Sequence, residues 1–382
     1  MPDILDAIVS RRREDYARLG AGFGTAVPAH RRRPVVPFLS DAGAILEIKR
    51  ASPSKGDIAP DLDPVLLAGQ YAAAGAKNVS VLTEGPFFKG SLADLIAASS
   101  AHSGLSFLRK DFILYEDEIE VSWRAGADAV LLIARILDLP KLLSLAASCR
   151  ALGMTPFVEV RERDDVPKLA AAAKAGRVLA GVNSRDLATF RIDPLVPATL
   201  RTSLSCRTVF ESGASTPGAC RFARQLGFDG VLIGEAAARD PSAAGALVSA
   251  FRDSRPDWVG HFWREIGRRG SRKPLVKICG LTRAEDALLA AELGADMLGF
   301  VFAPSPRQTD ELAVRDISRR LDEMYGKPLS ANPEAAGARR PLLVGVVTDA
   351  ESERSKTAFK LVCEGVLDAI QYHGENHASD LP

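Results

Sequence analysis

The chain has 382 residues, a net charge of +1, and is 47% hydrophobic but only 6% aromatic. That length holds one large domain and part or all of a second, and the Ala-, Leu- and Val-rich balance suits a helix-covered α/β protein rather than a β-sandwich. Near-neutral charge gives no electrostatic ground for nucleic acid or a membrane as partner, and no apolar run approaches the ~20 residues that cross a bilayer.

In chain order, Ile4 to Leu19 carries apolar residues at helical spacing with arginines between them, and predicts an extra amphipathic helix ahead of everything else. Arg31-Arg32-Arg33 follows in a proline-bearing connection and reads as solvated surface or linker, as does Arg268-Arg269 later. Short apolar runs then recur at Ile45–Lys49, Val79–Thr83, Phe107–Lys110, Ala129–Ile133, Pro156–Val160, Val178–Asn183, Thr208–Glu211 and Gly230–Ile233. A helix-length segment separates each pair. Parallel strands joined by helical crossovers follow from that alternation, and eight of them predict a closed (β/α)8 TIM barrel over residues 1–256.

The next stretch, 257–273, is Arg-rich and amphipathic and reads as a linker helix. From 274 to 382 the alternation restarts, with strands expected at Leu275–Cys279, Met297–Phe302, Leu342–Val347 and Ala369–Tyr372. Gly326 to Arg340, rich in Pro, Ala and Gly, reads as an exposed insertion. Four parallel strands leave open edges, so this second unit is expected to be an incomplete (β/α) barrel.

Most barrel strands are expected to end in a group able to react or hydrogen-bond: Lys49, Thr83-Glu84, Lys110-Asp111, Glu159, Asn183-Ser184-Arg185, Glu211-Ser212-Gly213 and Gly234-Glu235. In this fold the carboxyl ends of the strands build the active site, so acid–base chemistry on a small substrate is the leading expectation. Glu47 and Lys49 share one face of an otherwise apolar strand, a costly placement unless the charges are paired or used. A structural ion pair is the competing reading there, and a surface turn is the competing reading for Lys110-Asp111. The five cysteines show no Cys-x-x-Cys spacing and the five histidines no ligand spacing, so no metal, cofactor or disulfide framework is expected. With no signal-peptide pattern after Met1, the expected location is the cytoplasm.

The blocks Glu47-Ile48-Lys49-Arg50-Ala51-Ser52-Pro53-Ser54-Lys55-Gly56, Leu108-Arg109-Lys110-Asp111-Phe112, Gly181-Val182-Asn183-Ser184-Arg185, Glu211-Ser212-Gly213 and Leu232-Ile233-Gly234-Glu235 together resemble indole-3-glycerol phosphate synthase. The likeness runs from about residue 3 to residue 253. It implies a carbon–carbon lyase of tryptophan biosynthesis that closes a pyrrole ring on carboxyphenylamino-deoxyribulose phosphate, with loss of CO2 and water. Carried over residue by residue, it makes Lys110 the general acid, Glu159 the general base and Lys49 the ligand of the substrate carboxylate. Glu47 tunes that lysine, Asn183 orients the substrate, and Arg185 orients Glu159 or the carboxylate; Glu211 is open between a catalytic and a supporting role. Ser52, Ser212, Gly213 and Gly234 are implied around the phosphate, with Glu235 serving only through its backbone N–H.

Val276-Lys277-Ile278-Cys279-Gly280-Leu281-Thr282, Gly299 to Arg307 and Gln371-Tyr372-His373-Gly374 resemble the start of phosphoribosylanthranilate isomerase, whose reaction precedes the synthase step. The resemblance implies Cys279 as that family's base, with a buried structural cysteine as the alternative, and puts Arg307 and His373 near the substrate. Little or no isomerase activity is expected from this chain. A fully bifunctional enzyme with the other half-barrel supplied, and a non-catalytic scaffold for pathway enzymes, are the competing readings. The expected partner is one small phosphorylated molecule, with monomer or association with other tryptophan-pathway enzymes left open.

Overall fold

The computed structural model describes residues 4–186, 189, 191–252, 258–270, 274–326, 339–349 and 351–374, without the side chains of 258–260 and 270. The chain divides into two compact units, Met1–Arg255 and Pro256–Pro382.

In the first unit eight strands close into a barrel: β1 Gly43–Ile48, β2 Asn78–Leu82, β3 Ser106–Lys110, β4 Ala129–Ile133, β5 Thr155–Val160, β6 Leu179–Asn183, β7 Arg207–Glu211 and β8 Gly230–Ile233. Every neighbouring pair is parallel, and β1 pairs with both β2 and β8 to complete the ring. Strands covered on both faces read as apolar runs, as in β4, buried from end to end; β2 is buried as fully, and its polar Asn78 and Ser80 are hydrogen-bonded. The crossover helices start where local chemistry satisfies their free N–H groups. Asp63 accepts from Val65 and Leu66 N–H ahead of Pro64, and Thr216 accepts from Ala219 N–H ahead of Pro217.

Alternation along each strand sends one set of side chains into the barrel. Ile45, Leu108, Leu131, Phe157, Leu179, Val209 and Leu232 belong to one buried cluster, which fills the floor and leaves the next layer toward the carboxyl ends for the charged residues. The helix Ile4–Leu19 contributes Leu5 and Ile8 to that cluster, together with Phe112 and Ile133. Its amphipathic stripe is therefore buried against the barrel.

The basic connection behaves differently from the solvated run expected of it. The Arg31 and Arg33 side chains are only 3% and 6% exposed, and both close on Asp128, at 2.6 Å and 3.3 Å. Arg31 also donates to the carbonyls of Trp123 and Ala127. Asp128 in turn accepts from the N–H groups of Val36 and Phe107, so one buried carboxylate fastens the incoming chain to the start of two strands. Only Arg32 of the three is exposed.

The second unit holds an all-parallel sheet of four strands in sequential order: β9 Lys277–Cys279, β10 Met297–Val301, β11 Leu342–Val347 and β12 Ala369–Tyr372. Leu298, Phe300, Leu343, Val347 and Leu361 anchor its own core. The helix Trp258–Gly270 is grouped with this unit; Arg269 donates to the carbonyls of Asp296 and Arg340, so it is not the solvated residue expected. Residues 327–338 of the expected insertion lie outside the described residues. Its last residue, Arg340, is buried against Asp322 and Asp368 rather than exposed.

Candidate active site

The charged strand ends meet in one cavity of about 560 Å³ at the carboxyl ends of the barrel strands. Parallel register explains the meeting. Glu47 on β1 sits beside Ser80 on β2, Leu82 beside Lys110 on β3, and Asn183 on β6 beside Glu211 on β7, so inward side chains a few residues from each strand end share a level.

Lys110 lies at the centre. Its Nζ is 2.5 Å from Glu211 Oε2 and 3.9 Å from Glu47 Oε2. Lys49 Nζ stands 3.6 Å from Glu47 Oε1, so Glu47 bridges the two lysines. Ser80 Oγ donates to the same Glu47 carboxylate, at 3.3 Å. Across the mouth, Asn183 Nδ2 donates to Glu159 Oε1 at 3.3 Å, while Asn183 Oδ1 accepts from Arg185 N–H and Ser212 Oγ, both at 2.9 Å. The amide is thereby held in one orientation. It is Asn183, not Arg185, that holds Glu159. Arg185 instead reaches Ser54 in the first loop, at 3.4 Å. Arg161, which follows β5, pairs with Glu162 and Asp186.

Burial sets the protonation pattern. It opposes charge on Lys110, but the fields of Glu211, Glu47 and Glu159 outweigh it and hold the ammonium above its ordinary range. Burial pushes Glu211 up to about 8 against the pull of Lys110, with Glu159 and Glu47 adding to the rise. The two shifts describe one proton-sharing pair in which the nitrogen keeps its proton and Glu211 is poised to take up another. Lys49 goes the other way: burial lowers it, Lys110 and Arg185 add to the fall, and Glu47 only partly offsets them. Two lysines on strands separated by β2 thus differ in their hold on a proton.

Two glycines make room for the carboxylates. A Cβ on Gly181 would lie 1.9 Å from Glu211 Oε1, and one on Gly234 would lie 2.6 Å from Glu47 Oε1. A side chain at Gly181 would also strike the Phe157 ring, at 2.4 Å, and one at Gly234 would push the Glu47 carboxylate aside.

Of the residues expected around a phosphate, Ser52, Ser212, Gly213, Gly234 and Glu235 all line the same cavity. Ser52 is buried in a two-stranded hairpin, Ala51–Ser52 with Gly56–Asp57. Ser212 and Gly213 both have left-handed backbone, with φ of +67° and +79°. Glycine adopts this freely; Ser212 is held there by its bond to Asn183. The Glu235 carboxylate is 3.2 Å from Arg239 Nε, which also lines the cavity.

The apolar walls were not legible as site residues. Phe88, Phe112, Leu131, Ile133, Ile192 and Leu232 line the cavity, and Phe88 stands 5.7 Å below Lys49 Nζ. Phe88 is placed by Glu84, whose Oε2 accepts the N–H groups of Phe87 and Phe88, both at 2.9 Å. The aromatic pair directly after a strand end was the one available signal. In the second unit Cys279 is exposed rather than buried, and Arg307 Nη1 is 3.5 Å from the Cys279 carbonyl. His373 contacts Gln371, whose amide oxygen also receives Lys277 Nζ. These groups lie at the carboxyl ends of an open sheet.

A buried acid–base cluster at the mouth of an eight-stranded barrel fits many chemistries; the sequence comparisons narrow them. The indole-3-glycerol phosphate synthase family model matches residues 35–248. The chain is 38% identical over 270 residues to indole-3-glycerol phosphate synthase of Desulfotalea psychrophila, covering 66% of this chain and 100% of that protein. It is 45% identical over 199 residues to the Desulfosudis oleivorans synthase, covering 52% of this chain and 74% of that one. A multifunctional tryptophan biosynthesis protein of Phanerodontia chrysosporium matches 99% of this chain at 32% identity over 420 residues. The chain spans only 52% of that relative's length, and 45% of its counterpart in Schizosaccharomyces pombe. With the matched segment carrying all eight barrel strands and the whole lysine–carboxylate cluster, the chain belongs to the indole-3-glycerol phosphate synthase family.

Proposed function

We propose that this protein catalyses the family's ring closure, converting 1-(2-carboxyphenylamino)-1-deoxyribulose 5-phosphate to indole-3-glycerol phosphate with release of CO2 and water. The observation that carries the reading is the placement of Lys110 among Glu211, Glu47 and Glu159 at the cavity in the barrel mouth. A charged ammonium fixed at that point is a proton donor aimed at a developing alkoxide.

In the first step the anthranilate ring carbon bearing the carboxylate attacks the ribulose carbonyl carbon, and Lys110 delivers its proton to the carbonyl oxygen. Breaking the carbon–carboxylate bond then releases CO2 and restores the aromatic ring. Loss of the new hydroxyl as water, protonated by Lys110 once Glu211 has recharged it, with the neighbouring carbon's proton taken by Glu159, gives the pyrrole double bond. Lys49 holds the departing carboxylate, and Glu47 spaces the two lysines. Glu211 returns protons to Lys110, a role its raised proton affinity supports. The phosphate lies toward Ser212, Gly213 and Gly234, whose backbone N–H groups follow β7 and β8, with Ser52 and Arg185 closing from the first loop and the loop after β6. The apolar wall of Phe88, Phe112 and Leu131 receives the aromatic ring.

Formation of the fluorescent indole product from the ribulose phosphate tests the reading. Lys110→Ala and Glu159→Gln are expected to lose at least about a hundredfold in kcat; full turnover by either variant sinks the assigned roles. We place the enzyme in the cytoplasm: its five cysteines are all free, and no helix among the described residues is long and apolar enough to cross a membrane.

A second activity is raised by the match of 99% of this chain to about half of a multifunctional relative. Cys279 is exposed on an open sheet, where a base enjoys no water-excluded site. We therefore expect little turnover of phosphoribosylanthranilate by the 382-residue chain. Measured isomerase activity would make the bifunctional reading the correct one.

A further inference from the structure

Behind Lys110 lies a closed set of buried charges that the reaction does not use, and of its members only Asp111 also lines the cavity. Strand alternation turns Arg109 away from the barrel interior while Lys110 turns inward. Arg109 Nη2 donates to Asp111 Oδ2 at 2.9 Å, and its Nη1 reaches Ser122 Oγ at 2.9 Å. Thr83 Oγ1 donates to the same Asp111 oxygen at 2.6 Å, and Asp111 Oδ1 accepts the N–H of Phe112. Glu118 Oε1 accepts the N–H groups of Leu114 and Tyr115 in the loop that follows.

The remaining cation comes from about a hundred residues earlier. Arg12, on the N-terminal helix, donates from Nη2 to Asp111 Oδ2 at 2.8 Å and to Glu118 Oε2 at 3.0 Å. Its side chain is 5% exposed, those of Asp111 and Glu118 are 0%, and its guanidinium is 3.3 Å from the Phe23 ring centre. Two cations and two carboxylates balance in a site without water access. Burial alone would raise the Asp111 carboxyl, but Arg12 and Arg109 outweigh it and hold the group ionised.

Resting on the reading of the function above, we propose that Arg12 is a positioning residue: acting through Asp111, it fixes the backbone exit of β3 and so holds Lys110 Nζ on Glu211. The N-terminal helix is then a clamp on the strand end that carries the acid, beyond its apolar contacts through Leu5 and Ile8. Losing Arg12 leaves Asp111 and Glu118 sharing one guanidinium, and the 111–118 segment relaxes. Lys110 shifts with it, while the substrate-binding walls on the other strands stay in place.

The test uses the full chain with the ribulose phosphate substrate. Arg12→Met is expected to lower kcat about tenfold to a hundredfold, as misplacement of a reacting group does, with KM changed less than about threefold. Arg12→Lys, which keeps the charge but not the fork, is expected to fall between the two. Acylation of Lys110 by acetic anhydride, read by peptide mass spectrometry, is expected to run several times faster in Arg12→Met because the amine leaves Glu211. A loss of thermal stability with kcat and Lys110 acylation unchanged would overturn the proposal. If Arg12→Met does not fold, Thr83→Val removes a donor from the same Asp111 oxygen and is judged on the same two readouts. An unaltered chain without turnover would refute the functional reading, and the acylation comparison would still decide the role of Arg12.

Discussion

Lys49 and Lys110 are chemically identical and on the same barrel face, and burial lowers the proton affinity of both, yet neighbouring carboxylates outweigh burial only at Lys110. The largest share of the difference comes from Glu211, which touches only Lys110, with Glu159 adding to it. Gly181 creates the space for that carboxylate. Gly181→Ala places a methyl against Glu211 Oε1 and Phe157, and is expected to cost about 1–3 kcal/mol by overpacking and to reduce kcat; denaturant unfolding and product fluorescence read both effects. Glu84 supplies a pH-dependent counterpart. Burial raises its carboxyl to about 7 despite the N–H groups of Phe87 and Phe88. The folded chain therefore binds more protons than the unfolded chain between the ordinary carboxylate range and about pH 7. This contribution is full below that window and is lost as pH rises through it, on the order of 3 kcal/mol. Glu84→Gln is expected to make thermal stability less steep over that interval; an unchanged slope would refute the assignment. The acid–base residues were legible in the sequence because each follows an apolar run. Phe88, Leu131 and Ile192 were not, since an apolar residue lining a cavity has the same local pattern as one filling a core.

At the scale of elements, the N-terminal helix was read from periodicity alone, because a buried stripe requires 3.6-residue spacing whatever it packs on. The arginine run after it defeated the same kind of reasoning. A cluster of like charges is ordinarily solvated, and nothing local to Arg31 or Arg33 announces Asp128, which enters from the start of β4. Asp128→Ala would leave two buried guanidinium groups without their carboxylate, held only by backbone carbonyls, and would take the acceptor from the Val36 and Phe107 N–H groups. We expect a loss of at least about 3 kcal/mol, read as a lower denaturant midpoint. The exposed pair Lys89–Asp57 joins the loops after β1 and β2 at 2.5 Å, and Lys89→Ala is expected to cost under about 1 kcal/mol. The contrast tests whether burial, rather than charge pairing as such, decides the value of these bridges.

For the whole molecule, the barrel closes all its strand edges while the second sheet, among the described residues, leaves β9 and β12 each with one neighbour. The first unit has its own core and complete ring, so a chain ending at Arg255 is expected to fold and to keep the synthase kcat and KM. Loss of activity on that truncation, with folding intact by circular dichroism, would show that the second unit supports the site. The sequence by itself determined the alternation of strands and helices, the eightfold repeat and the polar group at most strand ends, because these follow from side-chain periodicity and from the few residues that carry acid–base chemistry. Only the tertiary structure decided which of those groups meet. Register places Glu211 against Lys110, orients Asn183 toward Glu159 rather than leaving that to Arg185, and brings Arg12 to Asp111 across the whole first third of the barrel. Periodicity is a property of neighbours along the chain, whereas a proton shared between two strands depends on distances that exist only once the ring has closed.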